Sequence, residues 1–298
     1  MKAIAGELKK AGIKCRSGVK TAPLTTFKVG GRAALFVTPA DEKELSASVR
    51  ACVMNRARYM AIGSMSNVIL PDGKIDMVFI AMTEGFNSAE LKGKTVIKAG
   101  AGMSVNAFNM FAAKHSLKGA EFLAGIPGTI GGAVYMNAGA FGKNVSMIVT
   151  KVHAVDKKGR RVTLAVKDCG FSYRKSIFQK NGFVITAAEF RLKKGKSKDI
   201  LNDIKRIIKM RHEKHPWEPS AGSFFKNNYP VYVAGKVIEE AGLKGKKIGG
   251  AAVSEKHANF IVNKGGAKAS DIRKLAAFIK KEVYRKFKIK LKEEVRYI

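Results

Sequence analysis

The densest concentration of residues suited to ligand chemistry is the run Gly125-Ile126-Pro127-Gly128-Thr129-Ile130-Gly131-Gly132-Ala133-Val134-Tyr135-Met136-Asn137-Ala138-Gly139-Ala140. Glycine lacks a Cβ and tolerates positive φ, so backbone in such a run can approach a ligand closely. Successive N–H groups leading into a helix would favour a pyrophosphate. Glycine richness alone fits tight turns and close packing equally well. The spacing is neither the GxGxxG of the dinucleotide fold nor the GxxxxGK[ST] phosphate loop. Two further turns, Gly30-Gly31 and Gly63-Ser64-Met65-Ser66-Asn67, each lie beside a strand-like segment. Three such loops predict an extended, phosphate-bearing cofactor. Cys15, Cys52 and Cys169 are odd in number and far apart, so neither a metal site nor a disulfide framework is expected.

The elements that must hold these loops are short and mixed. A helix over 1–13, a strand over 34–38, a helix with an acidic start over 41–55 and strands at 59–62 and 68–70 predict a small α/β lobe. Strands then dominate at 77–82, 95–100, 149–156, 160–166 and 183–192, interrupted by a helix over 104–116. The stretch 193–198, KKGKSK, reads as a linker. Helices over 199–212 and 270–287, a strand pattern at 252–262 and a last strand at 294–298 follow. The fold class is α+β. The predicted division is a two-lobed cofactor domain, 1–196, with lobes of about 1–82 and 83–196, and a smaller C-terminal domain, 197–298.

Composition sets outer limits. At 298 residues, 46% hydrophobic and 27% charged, the chain is a globular type and long enough for two cores. Its 56 Lys+Arg against 23 Asp+Glu give a formal charge of +33, a field that attracts polyanions. The lysines are scattered, with no long basic arm and no aromatic-basic ribonucleoprotein motif, so nucleic acid is not expected as the primary partner. The start lacks the unbroken apolar core of a signal peptide, and no window approaches the ~20 apolar residues of a membrane helix. With no disulfide framework, the expectation is a cytoplasmic protein, taken as a monomer, without a membrane partner.

The string GIPGTIGGAVYMNAGAFG, preceded by Glu121-Phe122, resembles the flavin-binding core of the UDP-N-acetylenolpyruvoylglucosamine reductase family. The resemblance continues through Thr25-Thr26-Phe27-Lys28-Val29-Gly30-Gly31, Tyr173-Arg174-Lys175-Ser176-Ile177-Phe178 and Ala221-Gly222-Ser223-Phe224-Phe225-Lys226-Asn227. Ile248-Gly249-Gly250-Ala251-Ala252-Val253-Ser254 and Glu293-Glu294-Val295-Arg296 complete the set. These five tags in the right order, together with the core string, make the match specific along nearly the whole chain.

The resemblance implies a two-lobed FAD-binding domain of the vanillyl-alcohol-oxidase type and a C-terminal substrate domain. It implies tightly bound FAD, NADPH as reductant, and UDP-N-acetylglucosamine enolpyruvate as the substrate reduced to UDP-N-acetylmuramate for peptidoglycan precursors. Flavin contacts are expected from Gly63, Ser64, Met65, Ser66 and Asn67, and from Gly125, Pro127, Gly128, Thr129, Gly131, Gly132, Asn137 and Ala138. Tyr173, Asn227, Lys244 and His257 are expected at the substrate. Arg174 would stabilise the negative charge that builds on the substrate carboxylate, since a guanidinium fork matches it and its charge is permanent. Ser223 would hand a proton to the carbanion carbon, and Glu294 would polarise the intermediate as a proton-bearing acid.

The chain departs from the family pattern in three places. Met65 stands where the family's Gly-x-Gly-Ser-Asn loop has its second glycine, and a non-glycine residue at positive φ costs roughly 1 kcal/mol or more. Asn228-Tyr229-Pro230 follows Asn227 in place of an immediate proline. The segment between Ser176 and Phe190 is too short for the tyrosine-bearing loop of one subclass, which predicts a more open pocket. Two other readings compete: another FAD-dependent oxidoreductase of the same superfamily, and a basic nucleic-acid-binding protein.

Overall fold

The strands Arg32–Thr38 and Lys74–Ala81 are almost continuously apolar after their first residues, a composition suited to strands covered on both faces. They form the middle of a four-stranded sheet ordered Lys14–Lys20, Arg32–Thr38, Lys74–Ala81, Tyr59–Ile62. The last two pair in parallel, and the helix Glu42–Met54 lies between the strands Arg32–Thr38 and Tyr59–Ile62 in the chain. That helix starts where it does because the Asp41 carboxylate accepts a hydrogen bond from the Glu44 N–H at 2.8 Å. The computed structural model describes residues 1–298.

A second sheet, antiparallel in every pairing, has the order Arg161–Ala165, Val149–Val155, Val184–Arg191, Val96–Gly100, Ala89–Lys92. The helix Val105–Lys114 is capped by Ser104, whose Oγ accepts from the Ala107 N–H at 3.0 Å. One hydrophobic core joins both sheets and their helices, including Leu35, Val78, Ile97, Phe108, Val152 and Phe190. Phe108 and Phe190 stack with ring centroids 4.7 Å apart. No helix is long and apolar enough to cross a membrane.

Two compact units emerge. The first holds Met1–Val19, Ala34–Ser64 and Asp76–Met210; the second holds Lys20–Ala33, Met65–Ile75 and Arg211–Ile298. In the second, the antiparallel strands Ala251–Val253 and Ile261–Asn263, with Lys247–Ile248 at one edge, are packed against the helix Ala269–Phe287. The helix offers Ile272, Leu275, Ala276, Ile279 and Val283, a stripe at three- and four-residue spacing, to a core shared with Phe27, Val29, Ile69, Phe224 and Phe225. Asp72 anchors the start of this helix, its carboxylate accepting from the N–H groups of Ala269 at 2.6 Å and Ser270 at 3.2 Å.

The units run differently along the chain from a single cut at 196/197. The helix Ser197–Lys214 places Ile200, Ile204 and Ile207 against Ala113 and Ala124, so most of it belongs with the first unit. The segments 20–33 and 65–75 join the second because Phe27, Val29 and Ile69 are buried in its core. Residues 193–198 are no free linker: Lys193 and Lys194 pair with Lys118 and Leu117, and the helix begins at Ser197. The stretch 252–262 is two paired strands and a turn rather than one strand. The strand Lys14–Lys20, largely exposed, carries no apolar alternation by which a sequence could announce it.

Removing the central isoleucine that docks the helix Ser197–Lys214 tests this division. Ile204→Ala should lower unfolding stability by about 2–5 kcal/mol, measured by urea denaturation. A loss under about 0.5 kcal/mol, the range of surface substitutions, would mean the helix does not belong to the first core.

Candidate active site

The glycine run is laced to residues 101–105 by backbone hydrogen bonds. Val105 donates to the Gly128 carbonyl at 3.0 Å, Ile130 to Met103 at 2.8 Å and Gly131 to Ala101 at 2.8 Å. Thr129 is buried, and its hydroxyl accepts from the Gly132 N–H at 3.4 Å, capping the short helix Ile130–Tyr135. The glycines serve different needs. A Cβ on Gly63 would collide with the Thr129 side chain, and one on Gly131 would come to 2.8 Å from the Ala101 Cβ. Gly128 has φ +153°, which favours glycine, whereas Gly132 is exposed and a Cβ there would meet only Thr129 Oγ1 at 3.6 Å. No backbone acceptor takes the N–H of Gly63, Ser64 or Gly128. Bare backbone with unused donors, held by close packing on its other side, fits a cofactor that carries phosphates, as FAD does.

Downstream residues of the run are locked to each other rather than left open. Asn137 is buried at φ +43°, its Nδ2 donating to the Ser172 carbonyl at 3.0 Å and its Oδ1 accepting from the Ser146 N–H at 2.9 Å. Ala138 donates to Ala133 and accepts from Val145. Among nearby methionines, Met103 is buried, Met136 is half-buried and Met110 is exposed.

Arg174 sits at the tip of a tight hairpin in which Ser172 and Lys175 exchange both backbone hydrogen bonds, at 3.2 and 3.0 Å. It adopts φ +56°, the left-handed region that costs a non-glycine residue energy. Gln179 holds this conformation by donating to the Arg174 carbonyl at 3.1 Å and to the Tyr135 carbonyl at 2.9 Å. The guanidinium lies over the exposed Tyr173 ring at 5.2 Å and donates to the Gly139 carbonyl at 3.0 Å. Arg174, Tyr173, Asn137 and the end of the glycine run are thus brought together within the first unit.

In the second unit, Ser223 and Glu294 meet through backbone pairing. Glu294 donates to the Phe224 carbonyl at 2.8 Å, and Lys226 to the Lys292 carbonyl at 2.8 Å. Asn259 clamps the same segment: its carbonyl and Oδ1 accept from Phe224 and Phe225, and its Nδ2 donates to the Phe225 carbonyl. Ser223 is half-buried beside this clamp, as is Glu294. Asn67 donates from Nδ2 to the Glu294 carbonyl at 3.3 Å and accepts the Arg296 N–H at 3.0 Å. Its side chain therefore serves the chain end. Met65 keeps φ +45° with a side chain only 7% exposed, so the loop retains the left-handed turn despite lacking glycine. Ser66 is half-buried.

The three remaining substrate candidates gather around the helix Ala234–Glu240. Asn227 accepts the Ala234 N–H at 2.9 Å and donates to the Tyr229 hydroxyl at 2.9 Å, so both ends of its amide are engaged. Lys244 pairs with Glu239 at 2.5 Å. His257 is part-buried, which lowers its pKa, while the charge of Glu239 pulls the other way. Glu239, the residue linking Lys244 and His257, carries no sequence signal of its own.

The FAD binding domain model matches residues 33–165, and the model of the UDP-N-acetylenolpyruvoylglucosamine reductase C-terminal domain matches 212–298. UDP-N-acetylenolpyruvoylglucosamine reductase of Anoxybacillus flavithermus is 40% identical, over 100% of this chain and 99% of its own. The enzyme of that name from Lachnoclostridium phytofermentans is 41% identical over 92% of this chain and 89% of its own. The chain belongs to the UDP-N-acetylenolpyruvoylglucosamine reductase family. A crystal structure of the family's member from Thermus caldophilus superposes with TM-score 0.82 at 31% identity, covering 96% of this chain and 98% of that one. A berberine bridge enzyme variant shares the fold over 65% of this chain and 44% of its own, with TM-score 0.51 at 12% identity. The family's C-terminal domain is thus matched from His212, within the helix Ser197–Lys214, and not from 197.

One titratable residue beside His257 escaped the motifs. His215 packs against Phe260 at 5.0 Å and edge-on to His257 at 5.8 Å. Burial, reinforced by the charges of Arg211, His257, Lys256 and Lys214, pushes its pKa down to about 4. The unfolded chain takes a proton on this histidine near 6.5, the folded chain only near 4, so stability falls as pH drops through that window. His215→Phe should therefore lose less of its melting temperature than the parent chain between about pH 7 and pH 4.5. Equal losses in the two would show that His215 is not the source.

Proposed function

We propose that this chain reduces the enolpyruvyl ether of UDP-N-acetylglucosamine enolpyruvate to the lactyl ether of UDP-N-acetylmuramate, with NADPH as reductant, in peptidoglycan precursor synthesis. The observation that carries this is the match to relatives of that one activity from end to end, including both the flavin-type and the C-terminal parts. When bound, FAD supplies hydride chemistry, taking two electrons from the nicotinamide and passing them to the methylene carbon of the substrate. The residues expected to hold it are Gly63 to Asn67 and the run from Gly125 to Ala138, Asn67 and Asn137 through their backbone because their side chains hold other segments.

The chain's own residues handle charge and the proton. The reduced double bond gains one hydride at its methylene carbon and one proton at the carbon bearing the carboxylate. Between those events negative charge spreads onto the carboxylate. Arg174 offsets it with a fixed cation, oriented by its bond to the Gly139 carbonyl, so little reorganisation is needed when the charge appears. Ser223 Oγ delivers the proton. Glu294 stabilises the intermediate, and Tyr173, Lys244, Asn227 and His257 orient the nucleotide sugar. The same reading takes the enzyme as a cytoplasmic monomer.

The test separates the two halves of the reaction. Protein reduced by NADPH and mixed anaerobically with UDP-N-acetylglucosamine enolpyruvate should recover its oxidised-flavin absorbance rapidly; a protein that binds flavin but stays reduced would point to another oxidoreductase of the superfamily. Ser223→Ala should leave reduction by NADPH intact and slow reoxidation by substrate about 10²–10⁴-fold, the usual contribution of a positioned acid. Equal loss in both halves would remove the proton-donor role.

A further inference from the structure

Gln179 follows the string Tyr173 to Phe178, which assigns it no role. It stands half-buried in the short helix Phe178–Asn181, fastened to the first core by the fully enclosed ring of Phe178. Its Nε2 donates to the carbonyls of Tyr135 at 2.9 Å and Arg174 at 3.1 Å. Both partners are acceptors, so the nitrogen end of the amide, with its two hydrogens, is the end that can face them.

The two carbonyls belong to different segments. Tyr135 ends the helix Ile130–Tyr135, where carbonyls lack intrahelical donors, and Ser176 Oγ donates to the same oxygen at 2.7 Å. Arg174 is the hairpin residue at φ +56°. Asn137 grips the same hairpin two residues earlier, at the Ser172 carbonyl, 3.0 Å away. Arg174 itself returns to the glycine run through its guanidinium bond to the Gly139 carbonyl, also 3.0 Å. Of these bonds, the one from Gln179 reaches the Arg174 main chain. Without it the left-handed turn loses a restraint on a conformation that costs a non-glycine residue energy, and relaxation there moves the base of the side chain.

We propose that Gln179 is a positioning residue for the reaction: through the Arg174 carbonyl it fixes the turn that directs the Arg174 guanidinium at the charge developing on the substrate carboxylate. The inference rests on the charge-stabilising role given to Arg174 above. A preorganised cation acts through its placement, and a displacement of about 1 Å can cost on the order of 10²-fold in rate.

Holoenzymes of the parent, Gln179→Ala, Gln179→Glu, Arg174→Ala and the variant carrying both alanines would be reduced with NADPH. Each would then be mixed anaerobically with UDP-N-acetylglucosamine enolpyruvate, following the return of oxidised-flavin absorbance. Gln179→Ala should keep its flavin and its reduction by NADPH while reoxidation slows about 10- to 100-fold. Gln179→Glu keeps the shape but offers the two carbonyls no donor, so it should be at least as slow. In the Arg174→Ala background, adding Gln179→Ala should change the rate less than about twofold, because nothing is left to position. Equal slowing in both backgrounds overturns the proposal, as does a parental rate in either single Gln179 variant. So does equal slowing of both half-reactions, or loss of flavin from both Gln179 variants, since either would make the amide a general structural support. Reoxidation of Arg174→Ala at the parental rate would overturn the role of Arg174 itself, and this proposal with it.

Discussion

The second unit depends on backbone hydrogen bonds between three segments far apart in the chain. Residues 67–69, 224–226 and 292–296 are joined by the bonds of Glu294 to Phe224, Lys226 to Lys292 and Arg296 to Asn67, with Arg296 and Tyr297 running parallel to Val68 and Ile69. Ser223 and Glu294 lie 71 positions apart in the sequence numbering and come to one place only because these bonds form. Backbone groups taken from water need partners, and these bonds supply them for residues 294 and 296. Asn259, which satisfies Phe224 and Phe225 from its backbone and its amide, is the side chain that makes this pairing rigid.

Part of the strained backbone lies in the segments read as cofactor or substrate contacts. Met65, Asn137 and Arg174 are three of the non-glycine residues at positive φ, and each lies in a segment assigned to cofactor or substrate. Such conformers persist where surrounding bonds over-determine them. For Asn137 those bonds are to Ser172 and Ser146; for Arg174 they are the hairpin and Gln179. The bonds that hold each of these conformers are local.

The large positive charge has a different character. On the helices Ser197–Lys214 and Ala269–Phe287 the basic residues Lys205, Arg206, Lys209, Lys274, Lys281 and Arg285 are exposed, opposite the buried isoleucine and leucine stripes. Ion pairs such as Arg206 with Asp203 and Arg285 with Glu282 are solvated, and pairs of this kind add little to stability. On these two helices the charge is therefore a property of the solvated faces.

What the sequence determined by itself was local and periodic. The capped helices at Asp41 and Ser104, the apolar stripe of the last helix, the α+β class and the glycine loops follow from side-chain spacing and cap chemistry, which neighbours in the chain decide. The motif resemblance pointed to Arg174, Ser223 and Glu294 because those residues sit within recognisable local strings. Tertiary structure decided the rest. The exposed strand Lys14–Lys20 exists through its place at a sheet edge, and Ile204 draws its helix into the first unit through a core that no local pattern reveals. Asn67 and Asn227 turned out to have engaged side chains, since their partners at Glu294 and Ala234 lie outside the motifs that suggested them. His215 owes its lowered pKa to burial, and burial is set by long-range packing rather than by the identity of a residue's neighbours in sequence.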